Sequence, residues 1–189
     1  MAPLFVRILL SAFLLLLSNL AMGKVFDHAV TANAGIRSSY GLVGAEYAYY
    51  PKSNFDIHVG AGLSPATTMF SAGSRFFLPR FRCRILPGCI QFLFFGGDLG
   101  FSLPAEFEVE GDGGRHNRYR LGTMALSHLE VGLQSVIGRT LTTTIALGHQ
   151  NNLYADSEVL RREDPNLENP TDTWYASGTS LRLALGFGF

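Results

Sequence analysis

Three histidines and two cysteines are the residues of this chain best suited to chemistry. His128 and Glu130, two positions apart, share one face of an alternating segment, and His58 lies on the matching face of another. A histidine beside a carboxylate can relay a proton near neutral pH. The same residues can equally form a buried hydrogen-bonded plug, and with no nucleophile in the pattern the plug is the favoured reading. His149 and Asn151 differ: they interrupt the apolar face made by Leu141, Ile145 and Leu147. Cys83 and Cys89 are the only cysteines, and they fall within one connection. That spacing predicts a disulfide in an oxidising compartment, and without a neighbouring histidine pair it makes a poor zinc site.

The elements that carry these residues follow from composition and periodicity. Lys plus Arg (15) equals Asp plus Glu (15) in 189 residues, so no basic face for nucleic acid is implied. Hydrophobic residues make up 47% and charged residues only 16%, an apolar balance that suits a lipid-facing sheet. Residues 1–23 read as a secretory signal peptide. Arg7 closes a positive region, Ile8 to Leu17 is an apolar run, and Ala21-Met22-Gly23 is a small-x-small cleavage site. The run is too short to span a bilayer as a helix. Residues 24–189 are then the exported domain.

From Lys24 onward the dominant period is two, the mark of strands. Eight segments are expected, at about 27–37, 42–50, 55–63, 69–78, 90–103, 119–137, 140–154 and 180–189. Turn residues at Pro51 to Asn54 and at Gly138-Arg139 predict tight connections. The two longest polar stretches, Pro104 to Arg118 and Ala155 to Asp172, are expected as loops at the opposite end. In the fifth segment the apolar face changes parity at Gly96-Gly97, which predicts a β-bulge. The last segment is the clearest, with Leu181, Leu183, Leu185, Phe187 and Phe189 alternating with small or polar residues.

A spanning sheet must close, because hydrocarbon cannot satisfy an open strand edge. The expected fold is therefore an all-β, eight-stranded antiparallel transmembrane β-barrel with its apolar face turned to lipid. Turning the other face outward would cost about 2–4 kcal/mol for each Arg or Lys at mid-bilayer. That other face carries Arg37, Arg75, Arg120 and Arg182 with Glu46, Asp56, Asp98 and Glu130. Eight strands leave room only for side chains. The balanced charges are thus expected to pair inside the lumen and fill it. Tyr47, Tyr49, Tyr119, Tyr154, Trp174 and Tyr175 fall near predicted strand ends, where interfacial aromatic belts form.

Alternating apolar residues ending in Phe189 resemble the last-strand signal of small Gram-negative outer-membrane barrels. That resemblance implies an outer-membrane location, contact with lipids including lipopolysaccharide, and recognition by the barrel assembly machinery. Leu147-Gly148-His149-Gln150-Asn151-Asn152-Leu153 resembles the His-x-Ser-Asn segment of the lipid A 3-O-deacylase family. By that resemblance His149 would be a lipid-facing general base, with Glu158 or Glu163 orienting it. The nucleophile position is Asn151, however, which lacks the hydroxyl an acyl transfer requires. Ser157 could serve only if its loop folded back.

The leading expectation is a non-enzymatic outer-membrane barrel whose lumen is plugged and whose surface loops serve envelope stability or surface contact. A lipid A acyl-ester hydrolase and a small-solute channel are the alternatives. No cofactor or metal is called for, and the acidic stretch 155–172 matches no calcium-loop spacing.

Overall fold

The period of two persists through eight long strands because each has one face in the barrel interior and one outside. In the computed structural model, residues 25–83, 88–110, 116–154, 157–161 and 176–189 are described. The barrel is built from β1 (His28–Ile36), β2 (Val43–Lys52), β3 (Phe55–Leu63) and β4 (Thr68–Phe77). A two-residue β5 (Phe81–Arg82) precedes β6 (Cys89–Ser102). A hairpin of β7 (Ala105–Glu110) and β8 (His116–Leu121) leads to β9 (Ala125–Ile137) and β10 (Leu141–Tyr154). The chain ends with β11 (Ser157–Arg161) and β12 (Gly178–Gly188).

The order β4-β3-β2-β1-β12-β10-β9-β6, with β4 also paired to β6, closes eight antiparallel strands. This is the expected fold. β1 meets β12 along the register Ala29–Gly188 to Ile36–Leu181, which brings the two ends of the chain together. His28 stacks on Phe189, Tyr47 and Tyr49 at this seam, and Tyr47 Oη lies 2.7 Å from His28 Nδ1. The disulfide Cys83–Cys89 is present in the connection between β4 and β6.

Three expectations need correction. β6 has no bulge: its registers with β4 and β9 run unbroken through Gly96 and Gly97. Its parity is constant, so Phe92 and Phe94 point inward while Leu93, Phe95, Leu99 and Phe101 point outward. The apparent slip arose because the interior at this end is itself apolar. Second, the predicted strand 119–137 is two strands, broken at residues 122–124. The break reverses the parity of β8, burying Tyr119 and Leu121 and exposing Arg120. Tyr119 is therefore not a belt residue but stacks on Phe107. Third, the stretches 104–118 and 155–172 are not plain loops, because β11, β8 and β7 pair into a separate three-stranded sheet. Trp174, Tyr175 and the expected signal peptide lie outside the described residues.

Two apolar clusters lie at opposite ends of the interior. At the end carrying the termini, Ala29, Ala48, Tyr50, Phe77, Phe92, Phe94, Val136 and Ala146 pack together. Phe77 contacts Tyr50, Phe92 and Phe94 at ring separations of 5.6–6.1 Å, within the range of favourable aromatic pairs. At the loop end, Met69, Leu121, Met124 and Leu126 form the second cluster, with Ala66 and Phe107 against it. Leu121 and Phe107 come from the three-stranded sheet, which thereby rests on the barrel mouth.

The parity of β6 predicts a contrast between adjacent residues. Phe94→Ala should lower unfolding stability by about 3–5 kcal/mol, as expected for emptying a packed aromatic site. Phe95→Ala, on the half-exposed outer face, should cost clearly less, because detergent or lipid fills the space. Urea midpoints of the refolded barrel in micelles would check this.

Candidate functional site

Between the two apolar clusters the interior is polar. The strand period delivers one or two charged side chains from each of several strands to the same level. Glu46 comes from β2, Asp56 and His58 from β3, and Arg75 from β4. Asp98 comes from β6, His128 and Glu130 from β9, and Ser180 and Arg182 from β12. All nine are buried.

They form one connected network. Arg182 donates to Glu130 with two nitrogens, Nη2 to Oε1 at 2.6 Å and Nε to Oε2 at 3.0 Å. This paired geometry is the strongest form of an arginine–carboxylate bond. Arg182 Nη1 also reaches Asn33 Oδ1 at 3.0 Å and Glu46 Oε2 at 3.4 Å. Glu46 is shared with Arg75, whose Nε donates to Asp56 Oδ2 at 3.0 Å. Asp56 holds His58 Nδ1 at 2.9 Å, and His58 Nε2 contacts Asp98. The other oxygen of Asp98 lies 3.2 Å from His128 Nδ1, and His128 Nε2 lies 2.6 Å from Ser180 Oγ. Every formal charge here has an opposite or hydrogen-bonding partner, as burial requires.

The connection between β1 and β2 folds into this network. Tyr40 Oη donates to Glu46 Oε2 at 2.6 Å, and Ser39 Oγ donates to Asp98 Oδ2 at 3.1 Å. Glycines make the space: a Cβ at Gly60 would stand 2.3 Å from the Tyr40 ring, and one at Gly62 would stand 1.9 Å from its carbonyl oxygen. The sequence reading missed both residues. Their one trace was glycine at successive inward positions of β3, which marks something bulky packed close to the wall.

Six of the eight predicted lumen charges meet here: Glu46, Asp56, Arg75, Asp98, Glu130 and Arg182. Arg37 does not sit at this level. It follows β1 in a left-handed conformation (φ 53°), and its guanidinium lies against Gly178 at the loop end. Arg120 lies outside the barrel. The broken strand turns it to the exposed face of the three-stranded sheet, where it bonds Glu106 at 2.8 Å and approaches Glu158 at 3.7 Å.

His149 faces outward on β10, in register with Leu129 and Thr179. Its strand neighbour on that face, Asn151, is paired with Ser127. Glu158, one of the two residues expected to orient His149, instead faces Arg120. Glu163, the other, lies outside the described residues.

The three-stranded sheet carries its own charge ladder. Glu106, Glu108 and Glu110 stand opposite Arg120, Arg118 and His116. Hydrogen bonds from Arg120 and Arg118 hold the Glu106 carboxyl below its ordinary range. A carboxyl with a lowered folded pKa stabilises the fold above its unfolded pKa of about 4.3, and that contribution fades as pH falls through the folded value. The protection factors of amides in β7 and β8 should therefore fall in acid, and Glu106→Gln should flatten that pH response. Within the barrel, Arg182→Ala leaves Glu130 buried without its guanidinium. It should cost about 3–5 kcal/mol, whereas Arg182→Met with Glu130→Leu should recover most of the loss. Denaturant titration of the refolded protein would measure both.

No protein-family model matches the sequence. No curated protein matches it either. Among solved structures, the chain is similar to the N-terminal β-barrel domain of Pseudomonas aeruginosa OprF, with a TM-score of 0.56 and 13% sequence identity. The match covers 89% of this chain and 100% of that one. At this identity the likeness concerns the fold, and the fold it supports is the closed eight-stranded antiparallel barrel.

Proposed function

We propose that the chain is a non-enzymatic outer-membrane barrel of a Gram-negative bacterium, with a plugged lumen and a β-sheet displayed at the cell surface. The observation that carries this reading is the side-chain filling of the interior: an apolar cluster at each end with the charged network between them. A conducting pore needs continuous water, and these three layers leave the interior to side chains.

Membrane insertion is supported by the outward face. Val30, Ile57, Val59, Phe95, Leu129, Val131, Ile145, Leu147, Leu183 and Phe187 are among the exposed large hydrophobics, and all project from barrel strands. A soluble protein rarely exposes so continuous an apolar surface. The N-terminal 23 residues would direct export and be removed. Phe189, exposed at the seam, would be read by the barrel assembly machinery, and lipids including lipopolysaccharide would surround the wall. The surface element would be the three-stranded sheet, with its Glu–Arg ladder facing solvent and serving envelope stability or surface contact.

The test expresses the chain in a Gram-negative host. Expected results are a band in the outer-membrane fraction that migrates differently before and after boiling, no stepwise conductance in planar bilayers, and an unchanged lipid A mass spectrum. Conductance steps altered by Arg182→Ala would establish a channel instead. Loss of one acyl chain from lipid A with the wild type, but not with His149→Ala, would establish a hydrolase.

A further inference from the structure

The polar layer of the lumen is short of positive charge. Four buried carboxylates, Glu46, Asp56, Asp98 and Glu130, face two buried guanidiniums, Arg75 and Arg182. With neutral imidazoles the layer would hold two uncompensated negative charges in a low-dielectric interior, an arrangement that costs several kcal/mol per ion. Two protons or one divalent cation would cancel them.

We propose that Asp98, His128 and Glu130 form a buried binding site for one divalent transition-metal ion, with zinc the chemical match and His58 positioning Asp98. Ligand atoms of Asp98, His128 and Glu130 all lie within 4.8 Å of one another. His58 Nε2 meets Asp98 from the other side. Donors around a tetrahedral zinc at about 2.0–2.1 Å stand roughly 3.3 Å apart, and His128 Nδ1 and Asp98 Oδ2 are separated by 3.2 Å. An imidazole with two carboxylates suits zinc better than the hard, all-oxygen-seeking cations.

The outer side of each imidazole carries the same message. His58 Nδ1 is anchored on Asp56 at 2.9 Å, and His128 Nε2 on Ser180 at 2.6 Å. Each ring thus commits one nitrogen to a fixed polar partner and turns the other toward the same carboxylate. Metal-ligating histidines are commonly held in this way, with a polar partner on the nitrogen turned away from the metal.

The wall is shaped to admit both rings. A Cβ at Gly73 would stand 2.1 Å from Asp98 Oδ1 and 2.8 Å from His58 Nε2. One at Gly148 would stand 2.7 Å from both His128 Nε2 and Ser180 Oγ. The apolar clusters at both ends restrict entry, so the ion would be acquired as the barrel folds, and its binding energy would become folding energy.

The experiment refolds the full chain from urea into detergent micelles with zinc sulfate or with EDTA. After dialysis against EDTA, metal is measured by mass spectrometry and unfolding by heat. The expected result is one zinc per folded chain in the first sample, with a higher thermal midpoint than the second. His128→Asn should lose the bound zinc, and His58→Asn, which releases the far oxygen of Asp98, should weaken its retention. Ser180→Ala, a small change suited to keep the fold should those two variants fail to refold, should bind zinc roughly 10–100-fold more weakly through loss of the outer bond. Folded wild type that retains no zinc would overturn the site and leave a network balanced by protonated histidines. Zinc retained equally by wild type and the folded variants, Ser180→Ala included, would overturn it as adventitious binding.

Discussion

The structure depends on the cost of placing charge inside a closed eight-stranded barrel. A barrel of this size has an interior just wide enough for side chains, so water cannot solvate what the inward positions carry. Glu46, Asp56, Arg75, Asp98, Glu130 and Arg182 are each separated from bulk solvent, and each must find its partner on another strand. The pairs they form cross the barrel in sequence terms: Glu130 with Arg182, Glu46 with Arg75, Asp98 with His58. Buried ion pairs are weak contributors to net stability but severe penalties when mismatched. In this chain they act as a register check, because a one-residue slip would send each of these groups into the outer wall.

The apolar clusters answer a second constraint. Charged pairs gain strength only when water is kept out, since the Coulomb term scales inversely with the effective dielectric. Phe77, Phe92 and Phe94 cover the network toward the end bearing the termini, and Met69, Leu121, Met124 and Leu126 cover it toward the loop end. The guanidinium of Arg75 lies 5.8 Å from the Phe94 ring centroid, and that of Arg182 lies 5.7 Å from the Tyr40 ring centroid. The cluster at the terminal end is therefore in direct contact with the network through Phe94, and Tyr40 packs on the network itself, both with cation–π geometry.

Much of this was legible in the sequence. The strands around Phe55 to Leu63 and Leu181 to Phe189 showed their faces plainly, because their outward residues are large and apolar while their inward ones are small or polar. The disulfide followed from two cysteines within one connection. The reading failed where that contrast disappears. Ile90 to Phe95 is apolar on both faces, so periodicity could not distinguish a slip from a hydrophobic interior. Across residues 122–124 the alternation continues in the letters but not in the backbone, and so Arg120 was placed in the lumen when it lies on the outer sheet.

What the sequence determined by itself is the barrel: period-two alternation, an apolar outer face and the chemical inventory of the inner one are local properties of the chain. What only the tertiary structure decided is which inward residues share a level. Strand tilt and stagger set the height of each side chain in the lumen, and no spacing along the chain encodes that height. Ser180, His128, Asp98, His58 and Asp56 come from four strands, and only closure of the barrel makes them neighbours. Tyr40 belongs to the same category, since a connecting segment enters the lumen only when a glycine-lined space on other strands is there to receive it.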